Sequence, residues 1–159
     1  MNDFLDSLIC RQTFDTQALM NSHTPKFYYA NKKGVGSYRI EEIEYILKTA
    51  FTGFCAARIE SQLESPHAPS LIIHTGFWGC GAYGGDRVLM ALLQILSARL
   101  SQVNCLVFHT SDAIGRENLA TAQQIVDRDL VPDNSPVKVS ALVEKIHAME
   151  FQWRFSDGN

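Results

Sequence analysis

The chain is short of the features that would take it out of the ordinary globular class. Its four cysteines, Cys10, Cys55, Cys80 and Cys105, are scattered and form no CxxC pair. A zinc site needs clustered ligands, so no metal is expected, and no cofactor. Scattered cysteines in a core-forming chain read as small buried apolar residues and point to a reducing compartment. Charge of either sign is not in excess. Lys+Arg number 14 against 17 Asp+Glu, a net charge of −3. A general electrostatic grip on DNA or on an anionic membrane is therefore not expected, and any phosphate site must be local and built mainly from backbone amides. No apolar run reaches the roughly 20 residues that a bilayer-crossing helix requires. The most apolar stretch, Val88 to Leu100, is interrupted by Gln94, Ser97 and Arg99. The opening MNDFLDSLICRQ carries acids where a secretory signal needs a basic start, so a cytoplasmic location is expected. Repeats and low-complexity tracts are absent as well.

What the chain does have is core-forming material. It is 46% hydrophobic and 19% charged over 159 residues. That excludes a disordered or fibrous chain and fits a single domain spanning residues 1–159. Phe4, Leu5, Leu8 and Ile9 fall at helical spacing. Asn21 to Pro25 reads as a loop, Lys26 to Ala30 as a short strand, and Asn31 to Ser37 as a turn. From Arg39 to about Leu63 a helical stripe runs through Ile40, Ile43, Leu47, Ala50, Phe54 and Ala57, ending at the prolines Pro66 and Pro69. Leu71 to Thr75 is a short, almost wholly apolar run, which predicts a central strand covered on both faces. A helix from Arg87 to about Ser101, capped by Asp86, is apolar on most sides and should be buried in a layer. Val103 to Phe108 is a second buried strand. Ser111 and Asp112 open a helix with Ile114, Leu119, Ala122 and Ile125/Val126 inward. Pro132 to Pro136 is a turn and Val137 to Met149 a last helix. The tail, Phe151 to Phe155, alternates aromatic and polar residues, as an edge strand or a strip laid over the core does. Strands alternating with helices predict an α/β sandwich with a mostly parallel sheet.

The most informative segment is Gly76-Phe-Trp-Gly-Cys-Gly-Ala-Tyr-Gly-Gly-Asp86, with five glycines between a strand and a helix. In open α/β sheets, ligands bind at the carboxyl ends of strands. Glycine allows φ > 0 and close approach to peptide amides, which form an anion-binding concavity with the helix N-terminus behind them. The bland alternative is a tight turn that uses glycine only for packing. Five glycines exceed what a turn requires, and Trp78 and Tyr83 are large groups for one. No Gly-Lys-Ser/Thr follows and there is no GxGxxG fingerprint with a ribose acid, so neither standard nucleotide loop applies. The loop predicts a phosphorylated, nucleotide-like ligand.

Thr75-Gly-Phe-Trp-Gly-Cys-Gly-Ala-Tyr-Gly-Gly-Asp86 resembles the diphosphate loop of the poly(ADP-ribose) glycohydrolases, TGNWGCGAFGGD. Ile46 to Phe54 resembles that family's LNKAYCGF helix, Leu92 to Leu96 its LIQIL helix, and Val107 to Asp112 its strand ending in YFTFGD. The resemblance covers about Ile46 to Asp112. It implies a three-layer α/β/α macrodomain-like sandwich with a mostly parallel, mixed sheet, corresponding to the C-terminal part of the glycohydrolase fold. It also implies ADP-ribose or poly(ADP-ribose), free or on ADP-ribosylated proteins, as the partner. Gly79, Cys80, Gly81, Ala82, Tyr83, Gly84 and Gly85 would form the diphosphate loop, with Tyr83 at the ribose end. Trp78 would brace it, and Trp78, Thr110 and Asp112 would line the pocket. Phe77 replaces the family's Asn, and Thr110 stands where the family has a second ligand-facing Phe.

Glycosidic cleavage needs a carboxyl group to protonate the leaving oxygen and activate water. The family's GGG loop followed by Gln-Glu-Glu has only a short counterpart here, Gly34-Val-Gly-Ser-Tyr-Arg-Ile-Glu-Glu42, with Ile40 in place of Gln. Glu41 and Glu42 are the candidate catalytic acids. The competing reading makes them a solvated first helical turn, favoured by the positive helix end. His74 reads as a satisfied core histidine or, less simply, as a base. His109 and Asp112 sit on the same sheet edge as the glycine loop. The expected function is ADP-ribose binding with hydrolysis of O-glycosidic linkages if an acid is in place. The alternatives are a non-catalytic reader and a degenerate interaction module.

Overall fold

The computed structural model describes residues 35–64, 69–132 and 137–154. The helix expected around Phe4 to Ile9, the loop at Asn21 to Pro25, the strand at Lys26 to Ala30, Cys10 and Phe155 lie outside the described residues. So does most of the turn expected at Pro132 to Pro136.

The core is organised by one helix. Helix α1 (Ile40–Glu64) and helix α2 (Arg87–Leu100) pack against each other. Of the stripe predicted for α1, Ile43, Leu47, Ala50 and Phe54 are buried and Ile40 and Ala57 half-buried, and Ile46 is buried beside them. Helix α2 is buried over most of its surface: Leu89, Ala91, Leu92 and Leu93 have no exposed surface, while Val88, Ile95 and Arg99 are half-buried. Its start is fixed by Asp86, whose carboxylate accepts the Leu89 amide at 2.9 Å. The Ser97 hydroxyl lies 2.7 Å from the Leu93 carbonyl of α2 and 3.2 Å from the Leu47 carbonyl of α1, which lets the two helices approach closely. Helix α3 (Ala113–Ile125), followed by a wider turn over Val126–Leu130, packs on the other side of α2. Helix α4 (Val139–His147) closes over α1. Ile114, expected inward, is 64% exposed. The inner stripe of α3 is instead Gly115, Leu119, Ala122 and Val126, and Ile114 lies about 100° round the helix from Gly115.

Two short sheets complete the described residues. Strand β2 (Ile72–Thr75) and strand β3 (Cys105–Phe108) pair in parallel, with Ile73 beside Leu106 and Thr75 beside Phe108. The α2 helix is their crossover. Strand β1 (Gly36–Ser37), in the stretch expected to be a turn, pairs antiparallel with strand β4 (Gln152–Trp153). The tail is therefore an edge strand and a cover at once, because Trp153 stands edge-on to Tyr38 at 5.5 Å.

The strands are not covered on both faces as their composition predicts. Ile73 and Leu106 pack on Phe54, Ala98 and Val103, and Phe108 joins the main core. On the opposite face Ile72 is 53% exposed, and His74, Cys105 and His109 are exposed. Successive strand residues point to opposite faces, and the described helices supply cover to one face only. Cys105 accordingly departs from the buried role expected of it, while Cys80 is buried. Burial pushes the partly covered Cys55 thiol above its ordinary value, against the opposing charge of Arg58. Among the described residues, no helix is long and apolar enough to cross a membrane.

Candidate functional site

The glycine segment leaves the carboxyl end of β2 and runs to the start of α2, where its own backbone folds it into two turns. The Cys80 amide donates to the Phe77 carbonyl at 3.3 Å, with Gly79 at φ +68° in the position of a type II turn that demands a left-handed residue. The Gly84 amide donates to the Gly81 carbonyl at 3.0 Å, and Gly84 follows with φ +64°. The Gly85 amide then returns to the Gly79 carbonyl at 2.8 Å and cinches the base of the loop. A side chain at Gly85 would meet that same carbonyl at 2.8 Å, so the closure requires glycine.

Three of the seven residues expected to line a diphosphate, Cys80, Gly84 and Gly85, thus spend their amides on shaping the loop. The amides of Gly79, Gly81, Ala82 and Tyr83 have no protein acceptor among the described residues. Gly79, Ala82 and Tyr83 are exposed. The loop therefore presents consecutive unmatched donors beside the N-terminus of α2, an arrangement that attracts an anion.

Side chains from distant elements hold both ends of this loop. At its start, the buried Gln94 of α2 donates from Nε2 to the Gly76 carbonyl at 2.9 Å and to the Met90 carbonyl at 3.1 Å. Its Oε1 accepts the Thr75 hydroxyl. At its end, the Asp86 amide donates to the Tyr38 hydroxyl oxygen at 3.0 Å. The Arg154 amide donates to the Gly84 carbonyl at 2.8 Å, so the tail strand ties down the same corner. Gln94, Tyr38 and Arg154 were not singled out from sequence as site residues. Only Gln94 carried a signal, as an amide in the apolar run Leu92 to Leu96.

Trp78 is 41% exposed and rests edge-on against Phe54 of α1 at 6.0 Å, and Tyr83 projects with 71% of its surface exposed. Two aromatic rings therefore flank the unmatched amides. Phe77 turns inward, edge-on to Phe108 at 4.9 Å, with the Arg87 guanidinium 5.5 Å from its ring centre.

Asp112 caps α3 through the Gly115 amide and pairs with Arg87 at 3.2 Å. The backbone hydrogen bond from Gly115, then Arg87, hold its carboxyl below the ordinary carboxylate value. A lowered folded value means that this carboxylate stabilises the fold above the ordinary value near 3.9 and ceases to do so as pH falls through the lowered one. Asp112→Ala is therefore expected to reduce stability at neutral pH and to flatten the loss of stability below about pH 4. Urea midpoints measured from pH 7 to pH 2 would show the two proteins converging. Parallel curves would reject the assignment. Thr110 is half-buried, and its carbonyl accepts the Asp112 amide at 2.7 Å.

The two candidate acids differ. Glu42 is 4% exposed, accepts the Arg39 amide at 2.9 Å and lies 3.5 Å from the Arg39 guanidinium, as a helix-capping acid does. Glu41 is exposed. The Tyr38–Asp86 hydrogen bond brings this helical turn to the end of the glycine loop. His74 is not in the core: it is exposed and stacks on His109. Among the described residues no three metal-ligating side chains cluster.

A family model described as poly(ADP-ribose) glycohydrolase (PARG), macro domain fold, matches residues 19–118, which is 100 of the 159 residues. The matched span takes in the helical turn of Glu41 and Glu42, the glycine loop and Asp112.

Proposed function

Because the chain belongs to the poly(ADP-ribose) glycohydrolase family with its macro domain fold, we propose that its glycine loop binds the diphosphate of ADP-ribose, free or within a polymer. The observation that carries this reading is the set of four unmatched amides, Gly79, Gly81, Ala82 and Tyr83, at the N-terminal end of α2. Gly84 and Gly85 shape the loop, Trp78 braces it, and Tyr83 covers the ribose end. Thr110 and Asp112 line the adjoining wall. We also propose the three-layer α/β/α sandwich with a mostly parallel sheet for the complete fold. It is supported by the parallel β2–β3 pair and by the apolar Ile72 on the face that the described helices leave open.

Binding is the activity the geometry supports best, because the loop is fully built from residues of this chain. Hydrolysis is the second reading, supported by the Tyr38–Asp86 hydrogen bond, which ties the chain three residues before Glu41 to the end of the loop. In that reading one carboxyl protonates the glycosidic oxygen and then activates water. Glu42 already serves Arg39, so its use in chemistry would require that contact to be shared.

Calorimetric titration with ADP-ribose tests the binding. Saturable heat is expected, and its absence at millimolar ligand would leave only an interaction module. Incubation with ADP-ribosylated protein then separates enzyme from reader. If the chain is an enzyme, Glu41→Gln or Glu42→Gln should lower turnover about 10²–10⁴-fold with affinity retained. Equal release of ADP-ribose by the parent and both variants would remove these acids from the mechanism.

A further inference from the structure

The tail of the chain brings a cation to the glycine loop. The Arg154 amide, just past β4, donates to the Gly84 carbonyl at 2.8 Å. The Arg154 side chain therefore springs from backbone in contact with the loop, one residue from Tyr83. Exposure alternates along this tail: Gln152 is exposed, Trp153 is half-buried against the main core, and Arg154 is exposed. In extended chain, neighbouring side chains point to opposite faces, so the guanidinium lies on the solvent side, where Ala82 and Tyr83 are exposed as well. Two other arginines stand near the loop, and both are engaged. Arg87 pairs with Asp112 at 3.2 Å and covers the Phe77 ring, and Arg39 lies 3.5 Å from the Glu42 carboxylate. Arg154 has no carboxylate partner among the described residues.

We propose that the Arg154 guanidinium is a ligand-binding group of this site and completes, with the four unmatched amides, the grip on the diphosphate. The amides carry only partial charges. A diphosphate linking two sugars brings one formal negative charge per phosphate into a chain whose net charge is already −3. A cation is needed to balance them, and among the arginines placed beside the loop Arg154 is the one without a carboxylate. The planar fork of a guanidinium also matches two phosphate oxygens, which a backbone amide cannot do. Arg154 lies beyond residues 19–118, the span that the family model matches, so the tail would add a contact from outside that span. The role rests on the diphosphate reading of the loop proposed above. It is separate from the tail's structural role, because the bond to Gly84 comes from the Arg154 backbone and any non-proline residue at this position keeps it.

Calorimetric titration of the full chain with ADP-ribose tests it, with the thermal midpoint of each variant measured alongside. Arg154→Ala is expected to weaken binding about tenfold or more, the usual effect of losing a hydrogen bond to a charged group, with the midpoint unchanged. Arg154→Lys should recover part of the affinity, as a point charge without the fork. Raising the salt from about 0.1 M to about 1 M shortens the screening length from about 10 Å to about 3 Å, so it should weaken the wild-type chain more than Arg154→Ala. Arg128→Ala removes an exposed charge on the turn after α3 and should leave the affinity unchanged. Saturable binding that Arg154→Ala leaves intact would overturn this role and spare the reading of the loop. No saturable heat from the wild-type chain would overturn both. Equal weakening by Arg128→Ala would reduce the effect to overall charge, and a fall in the midpoint of Arg154→Ala that parallels its lost affinity would make the side chain structural. Either result overturns the assignment.

Discussion

Gly84→Val is expected to abolish measurable ADP-ribose binding while leaving the helices folded. Gly84 has φ +64°, a region that a β-branched side chain all but excludes. The position is buried, its amide is committed to Gly81, and its carbonyl accepts from Arg154. The backbone therefore cannot swing to an extended conformation without breaking both bonds. Strain of about 1–3 kcal/mol at such a residue would be relieved by opening the loop, and the arrangement of the four donors would be lost. A loss of about 100-fold or more in affinity is expected, which matches the upper part of that range. Gly84→Ala should fall between the two proteins, because alanine tolerates the left-handed region less badly. Calorimetry measures the affinities and circular dichroism the helices. Normal binding by Gly84→Val would mean that the ligand sits elsewhere.

The second large effect is expected at Gln94, which touches no ligand in this account. Gln94→Leu keeps the volume of the side chain and removes its polar atoms from a site with no exposed surface. The Gly76 carbonyl and the Thr75 hydroxyl then lose their partner. Each buried polar group left unpaired costs about 1–3 kcal/mol. For a chain of this size about 1 kcal/mol lowers the melting midpoint by about 2–4 °C, so a fall of several degrees is expected. Binding should weaken too, because Gly76 is where the loop leaves β2. Gln94→Glu at neutral pH separates the contributions: it keeps an acceptor for Thr75 and loses the donor to Gly76. Thermal denaturation followed by calorimetry reads both quantities, and a Gln94→Leu protein with unchanged midpoint and affinity would show that Gln94 does not anchor the loop.

The fold was legible where burial and periodicity coincide. Helix α1 and its inward stripe, α2 with its Asp86 cap, and the strand–loop–helix order around the glycines all follow from residue spacing, because a mostly buried helix is apolar on most of its sides. The outer face of the sheet was not legible. Ile72 and His74 alternate with Ile73 and Thr75 in a run that looks uniformly buried, and only the packing of neighbouring elements decides which face is covered. Within the candidate site, glycines announced the loop but not its internal economy. Which amides are spent on the turns depends on φ at Gly79 and Gly84 and on the return of Gly85 to Gly79. The anchors at Tyr38 and Arg154 are long-range contacts without a local pattern, since Tyr38 and Asp86 are 48 residues apart. At the Arg39–Glu42 pair, two adjacent acids after a glycine loop suggest catalysis, and the structure adds a capping contact between Glu42 and the Arg39 amide.

The most direct test is an amide map. Uniformly ¹⁵N-labelled chain titrated with ADP-ribose should show its largest amide shifts at Gly79, Gly81, Ala82 and Tyr83, with adenosine alone failing to reproduce them because it lacks the diphosphate. Shifts that bypass those four amides, or that adenosine reproduces in full, would contradict the assignment of the loop.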